Sequence, residues 1–186
     1  MTLLDQFLPR FDFHERHAIT IDAPAGIVLD HAARQRAQDD PFIRTAIRLR
    51  ELPTRLFGLS QRQPLDLDDF TFLGRDGDRG LAFGLTGAFW RPDYGLVEIR
   101  SPEQFRMHGR NDVCSLVMCF DTGSDAAGRT VLRTETRVFC PTAAVRRQFA
   151  PYWYLIRPVS GMIRRRMLAR VRQHAESEVA RRGRAG

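Results

Sequence analysis

The side chains best equipped for chemistry in this chain are few and scattered. His14-Glu15-Arg16-His17 sets two imidazoles three residues apart. On a helix they would share one side and could hold a metal ion. His17, however, opens an alternating stretch that reads as a strand, and no third ligand accompanies the pair. Neither a metal site nor a cofactor is therefore expected. His31, in a helical pattern, and His108, in a stretch that reads as a strand, are expected to serve packing. No Ser-His-Asp order, glycine-rich phosphate loop or paired-cysteine site can be made out. Every one of the 29 basic residues is arginine. Schiff-base catalysis and the lysine of a phosphate-binding loop are thereby excluded.

What remains is a set of residues suited to binding. Phe149, Trp153 and Tyr154 lie in the last quarter of the chain, where a wide apolar wall carries polar tips. Phe83 stands on the apolar side of a strand from Gly80 to Trp90. Trp90-Arg91-Pro92-Asp93-Tyr94 breaks that strand, and an irregular loop here, with Trp90 and Tyr94, would sit at a cavity mouth. Thr134 and Thr136 alternate with Leu132 and Val138 on one side of a strand, so that buried hydroxyls would face a ligand or water. Arg157 lies between Pro151 and Pro158, where a kinked helix leaves carbonyls for it to bind, or where it could meet Glu135 or a ligand carboxylate.

The elements that must position these residues follow from periodicity. Residues 142–182 read as one long helix, with Thr142 as N-cap and Phe149, Trp153, Ile156, Ile163, Met167 and Val171 as its apolar stripe, Ser160 filling the gap. Pro151 and Pro158 predict kinks. Residues 1–16 are a lead-in. His17–Asp22 reads as a strand, Ala25–Arg36 as a helix after Pro24, and Phe42–Leu49 as a second short helix before Pro53. From Phe70 the period becomes two. Strands are expected at 70–74, 80–90, 105–109, 113–121 and 130–140, and 96–100 reads as either a short strand or a helix turn. On the last strand Val131, Arg133, Glu135, Arg137 and Phe139 form a second side, mostly charged and expected to face water.

Composition bounds the rest. A chain of 186 residues with 43% hydrophobic and 27% charged residues suits one soluble domain. The opening lacks the basic and apolar regions of a secretory signal, and no apolar run is long enough for an integral membrane segment. A cytoplasmic location is expected. Cys114, Cys119 and Cys140 are expected as free thiols. Residues 142–186 hold 11 Arg and 2 Glu, a net +9, whereas the remainder is −2. An arginine run on a helix reads first as a solvated side, so nucleic acid ranks last among partners; the sequence leaves homodimerisation open.

The order strand, two helices, antiparallel strands, long C-terminal helix resembles the helix-grip fold of the START / polyketide-cyclase-like (SRPBCC) superfamily. The opening His17-Ala-Ile-Thr-Ile-Asp-Ala-Pro24 and the run Phe149-Ala-Pro-Tyr-Trp-Tyr-Leu-Ile-Arg-Pro-Val-Ser-Gly-Met-Ile-Arg-Arg165 carry the likeness, the latter being similar to the terminal helix of an uncharacterised bacterial branch. The resemblance implies an α+β helix-grip fold. In it a curved antiparallel sheet of about six or seven strands wraps a long kinked C-terminal helix, with two short helices after the first strand, all in a single START-like domain spanning 1–186. It also implies a cavity for a small hydrophobic or amphipathic ligand between sheet and helix. The superfamily shares no catalytic motif, so no catalytic residue is carried over. Three functions follow as expectations: binding of such a ligand; a cyclase, dehydratase or hydrolase using the same cavity, with Arg157, Glu98 or His108 inside it; and attachment to an anionic membrane or nucleic acid through the arginine-rich helix.

Overall fold

The structure, a computed structural model, describes residues 2–34 and 69–184. Its elements in chain order are α1 (Leu3–Phe7), β1 (Phe13–Ile21), α2 (Ala25–Ala33), β2 (Thr71–Asp76), β3 (Gly80–Gly87), α3 (Pro102–Met107), β4 (Cys114–Ser124), β5 (Thr130–Phe139) and α4 (Ala143–Arg184). The strands form one antiparallel sheet in the order β1-β5-β4-β3-β2. The fold is thus α+β, an antiparallel sheet with a long C-terminal helix packed on one face. Among the described residues the sheet has five strands rather than six or seven. The second short helix expected at 42–49, and the connection after it, lie outside the described residues.

Residues 105–109 correct one expectation. They do not form a strand: the Ser101 hydroxyl accepts from the Gln104 N–H at 3.1 Å, Pro102 occupies the first turn, and a helix follows that buries Phe105. Helix α4 runs unbroken for 42 residues through both prolines. Its buried side is Val145, Phe149, Trp153, Gly161, Met167, Leu168, Val171 and Ala175. Ile156 and Ile163, expected in that stripe, are only half-buried.

Two layers of core result. Between the sheet and α4 lie two apolar clusters. One joins Ile21, Leu81, Phe120 and Leu132 to Leu168 and Val171, with Val28 and Leu29 of α2 beside them. The other joins Phe13, Leu85, Phe89 and Val138 to Phe149 and Trp153. Cys114 and Cys140 sit in this second cluster with their sulfurs 3.4 Å apart, and all three cysteines are free. On the opposite face of the sheet, Leu4, Phe7 and Leu8 of the lead-in pack with Phe105 of α3 over Leu73, Ala82, Val117 and Cys119.

This outer layer corrects a second expectation. The charged side of β5 does not face water freely. Glu135 is 5% exposed and is clasped by Arg16 and Arg137. Arg137 also bonds Asp5 of α1 at 2.9 Å. Burial pushes the Glu135 carboxyl up, but its two arginine partners outweigh that and hold it below its ordinary value. Arg16 and Arg137 thus let a strand with a charged side lie beneath a helix.

The same network sets an acid limit. The Asp5 carboxyl is held at about 2, from an ordinary 3.8, first by the Thr2 hydroxyl and then by Arg137. A depressed carboxyl stabilises the fold above its unfolded pKa and stops doing so as pH falls through the folded one. Urea midpoints of wild type and Asp5→Asn should therefore differ by a constant amount above about pH 5, wild type being more stable, and converge as pH falls toward about 2. A gap that persists to the lowest pH would show that the carboxylate contributes nothing.

Candidate functional site

The register of β1 on β5 places Glu15 opposite Thr136 and His17 opposite Thr134. Period-two alternation points all four toward the helix face, in line with Phe13 and Val138 on one side and Ile19 and Leu132 on the other. Helix α4 packs against β1. It brings Gly161 and Arg164 over this row, between Trp153 and Met167. On β1 and β5 a band of polar groups therefore lies between the two apolar clusters, while Leu116 and Phe70 pack against both.

Within the band His17 Nε2 and Glu15 Oε1 are 2.8 Å apart, and their side chains are 13% and 11% exposed. Gly161 makes room for them. A Cβ at that position would stand 2.8 Å from Glu15 Oε1 and 3.5 Å from His17 Nε2, so a larger residue would have to displace the Glu15 carboxylate from where it meets His17. Arg164 is half-buried and donates from Nη1 to Thr134 Oγ1 at 3.3 Å. Burial pulls its guanidinium down to about 10, while the charge of Glu15 opposes this, so it remains a cation at neutral pH. Thr134 and Thr136 are both buried. Thr136 Oγ1 has no hydrogen-bond partner among the described residues.

Chemically, the band offers three things. Arg164 supplies donors for an oxygen. Thr136 supplies a hydroxyl that either gives or accepts. With Nε2–H donating to the Glu15 carboxylate, the other imidazole nitrogen keeps its lone pair, an arrangement in which a carboxylate orients a general base.

The residues expected at the site divide into groups. Phe149, Trp153 and the half-buried Trp90 gather in the second apolar cluster, with Phe13 5.2 Å from Phe149 and 5.7 Å from Trp153 between ring centres. Thr134 and Thr136 lie in the polar band. Phe83 belongs to the first cluster, edge-on to Phe72 at 5.6 Å. Tyr94 is buried in the turn after β3, at a φ of 59°. Tyr154 and Arg157 lie on the outside of α4, Tyr154 being 63% exposed. Glu98 is exposed and pairs with Arg100. His108 caps α3 on the outer side, in a cleft of about 240 Å³ with Phe7 and Phe105. Its Nδ1 accepts the Arg110 N–H at 3.2 Å, so Nε2 carries the proton it shares with Ser115 Oγ at 2.8 Å. A protonated Nε2 cannot take a proton from Ser115, and the pair is no nucleophile with its base.

A second concavity, about 490 Å³, lies on the outer face between α1 and the sheet, lined by Arg16, Arg79, Arg133, Arg137, Asp121 and Glu135 among others. These charges pair with one another or with nearby acids: Arg133 with Asp121, Arg79 with Asp76, and Arg16 and Arg137 with Glu135. It is an ion-pair network, already satisfied.

No protein-family model matches the chain, and no curated protein matches it. Several solved structures overlap it at low similarity. A hypothetical protein of Helicobacter pylori is 10% identical, with 92% of this chain and 93% of that one covered, at a TM-score of 0.38. Ara h 8.0201 is 10% identical, with 81% and 97% covered, at a TM-score of 0.22. Neither overlap is close enough to place the chain in a family.

The two threonines give opposite expectations for stability. Thr136→Val removes a buried hydroxyl without a partner and should leave the urea midpoint unchanged or raise stability by up to about 1 kcal/mol. Thr134→Val takes an acceptor from Arg164 and should cost about 1 kcal/mol. A comparable loss in both variants would contradict the assignment of Thr136 as the orphan.

Proposed function

We propose that this protein binds a small amphipathic molecule between the sheet and α4, with the ligand's polar group at the band formed by Glu15, His17, Thr134, Thr136 and Arg164. The observation that carries this reading is the buried Thr136 hydroxyl, which has no partner among the described residues while a half-buried arginine reaches the threonine two residues before it on the same strand. A buried hydroxyl without a hydrogen bond costs roughly 1–3 kcal/mol, and a ligand oxygen would recover it. The apolar clusters on either side, with Trp153 and Phe149 in one and Phe83 in the other, suit a hydrophobic body. The START-like, SRPBCC reading of the chain as a single domain agrees with this function and rests on the order of its elements.

A second reading, an enzyme that moves a proton on the same ligand, is favoured by the Glu15–His17 pair. It uses Glu15 and His17 where the sequence suggested Arg157, Glu98 or His108.

Titration with N-phenyl-1-naphthylamine, an uncharged amphipathic fluorophore, tests the binding reading. Wild type should give saturable one-to-one binding with a blue-shifted emission. Thr136→Phe, which puts a bulky ring where the unpaired Thr136 hydroxyl stands, should abolish it while cooperative urea unfolding persists. Wild type that shows no saturable signal, or a Thr136→Phe variant that binds as wild type does, would overturn the proposal.

A further inference from the structure

Resting on that binding reading, we infer that the ligand's polar group is an uncharged carbonyl with hydrocarbon on both sides, as in a dialkyl ketone or an ester, and that Arg164 and Thr136 hold its oxygen. Three observations lead there.

The first is charge. Among the described residues the band holds one cation, Arg164, and one carboxylate, Glu15, with His17 bound to that carboxylate. With a neutral imidazole the formal charges cancel. A ligand carboxylate would add a second anion near Glu15 in largely desolvated surroundings, and like charges there repel strongly. A ligand ammonium would meet Arg164. An uncharged oxygen adds neither charge.

The second is the direction of hydrogen bonding. A guanidinium has five N–H donors and no acceptor. Among the described residues Arg164 makes one hydrogen bond, to Thr134 at 3.3 Å. Thr136 adds an unpaired hydroxyl proton. Arg164 and the Thr136 hydroxyl can both donate to one atom, so the group that fits between these two is an acceptor, and a carbonyl oxygen with two lone pairs accepts from both.

The third is position. The band does not lie at the end of the apolar layer. Phe13, Val138, Phe149 and Trp153 stand on one side of it, and Leu132 and Leu168 on the other. A terminal head group would leave one cluster without a ligand segment. A carbonyl inside a chain puts hydrocarbon against both.

Isothermal titration calorimetry of the full chain with 7-tridecanone and with dodecanoate, at pH 7.5, tests the inference. The ketone should bind at least about tenfold more tightly than dodecanoate, because a site built to donate to an oxygen discriminates by the bonds it can complete. Arg164→Met should weaken the ketone by about tenfold or more, and Thr136→Val by a smaller factor in the same direction. Thr136→Val gives the same test should Arg164→Met fail to unfold cooperatively. Dodecanoate binding as tightly as the ketone would overturn the uncharged class while leaving interior binding standing. Ketone affinity unchanged in both variants would overturn the assignment of Arg164 and Thr136. Binding of neither compound would overturn the interior binding reading and this inference with it.

Discussion

The Glu15–His17 hydrogen bond beneath Gly161 is the constraint around which the inner layer is arranged. Two side chains able to carry charge are enclosed between a sheet and a helix, where desolvation would be costly unless each had a partner. They satisfy one another at 2.8 Å, and the missing side chain at position 161 lets the helix close over them. From this contact the rest follows. The helix lies on β1, Arg164 falls over β5, and the apolar residues before and after it on α4 meet separate clusters. A core divided by a polar band is a poor way to gain stability and a good way to recognise a molecule with one polar group.

The sheet answers opposite demands on its two faces. On the outer face every charged group of β5 is paired: Arg133 with Asp121, Glu135 with Arg16 and Arg137, and Arg137 with Asp5. On the inner face the polar groups are only partly paired, and the unpaired one, Thr136, is among the most deeply buried polar residues. Residues alternating along one strand thus separate a fully paired ionic network from a partly paired polar row.

Much of this was legible in the sequence. Alternation along β5 put Thr134 and Thr136 on the inward side, and helical spacing put Phe149 and Trp153 against the core. The rest was hidden for identifiable reasons. Glu15 and His17 belong to β1, but alternation in the sequence marks the strand only from His17, because a charged residue at an inward position disguises the period. Counting back by two from Ile21 and Ile19 to His17, Glu15 and Phe13 would have found them. Arg164 stands first in a run of three arginines, and composition cannot say which member turns inward. Gly161, one turn earlier, was the available clue, since a glycine within a helix costs stability and usually marks a close approach. The capping signal of Ser101-Pro102 likewise outweighed the apparent alternation of Phe105, Met107 and Gly109. The outer face misleads because charged residues on a strand suggest water, whereas Glu135 and Arg137 have partners in the lead-in more than a hundred residues away.

The central claim is that the polar band on β1, β5 and α4 holds the oxygen of a bound molecule. A crystal structure of the full chain grown with 7-tridecanone tests it most directly. The account predicts the ketone between sheet and helix, its oxygen within hydrogen-bonding distance of Arg164 and Thr136, and hydrocarbon against both apolar clusters. Density for the ketone only in the outer cleft beneath α1, or an inner layer closed over Glu15 and His17 with no ligand in it, would contradict the account.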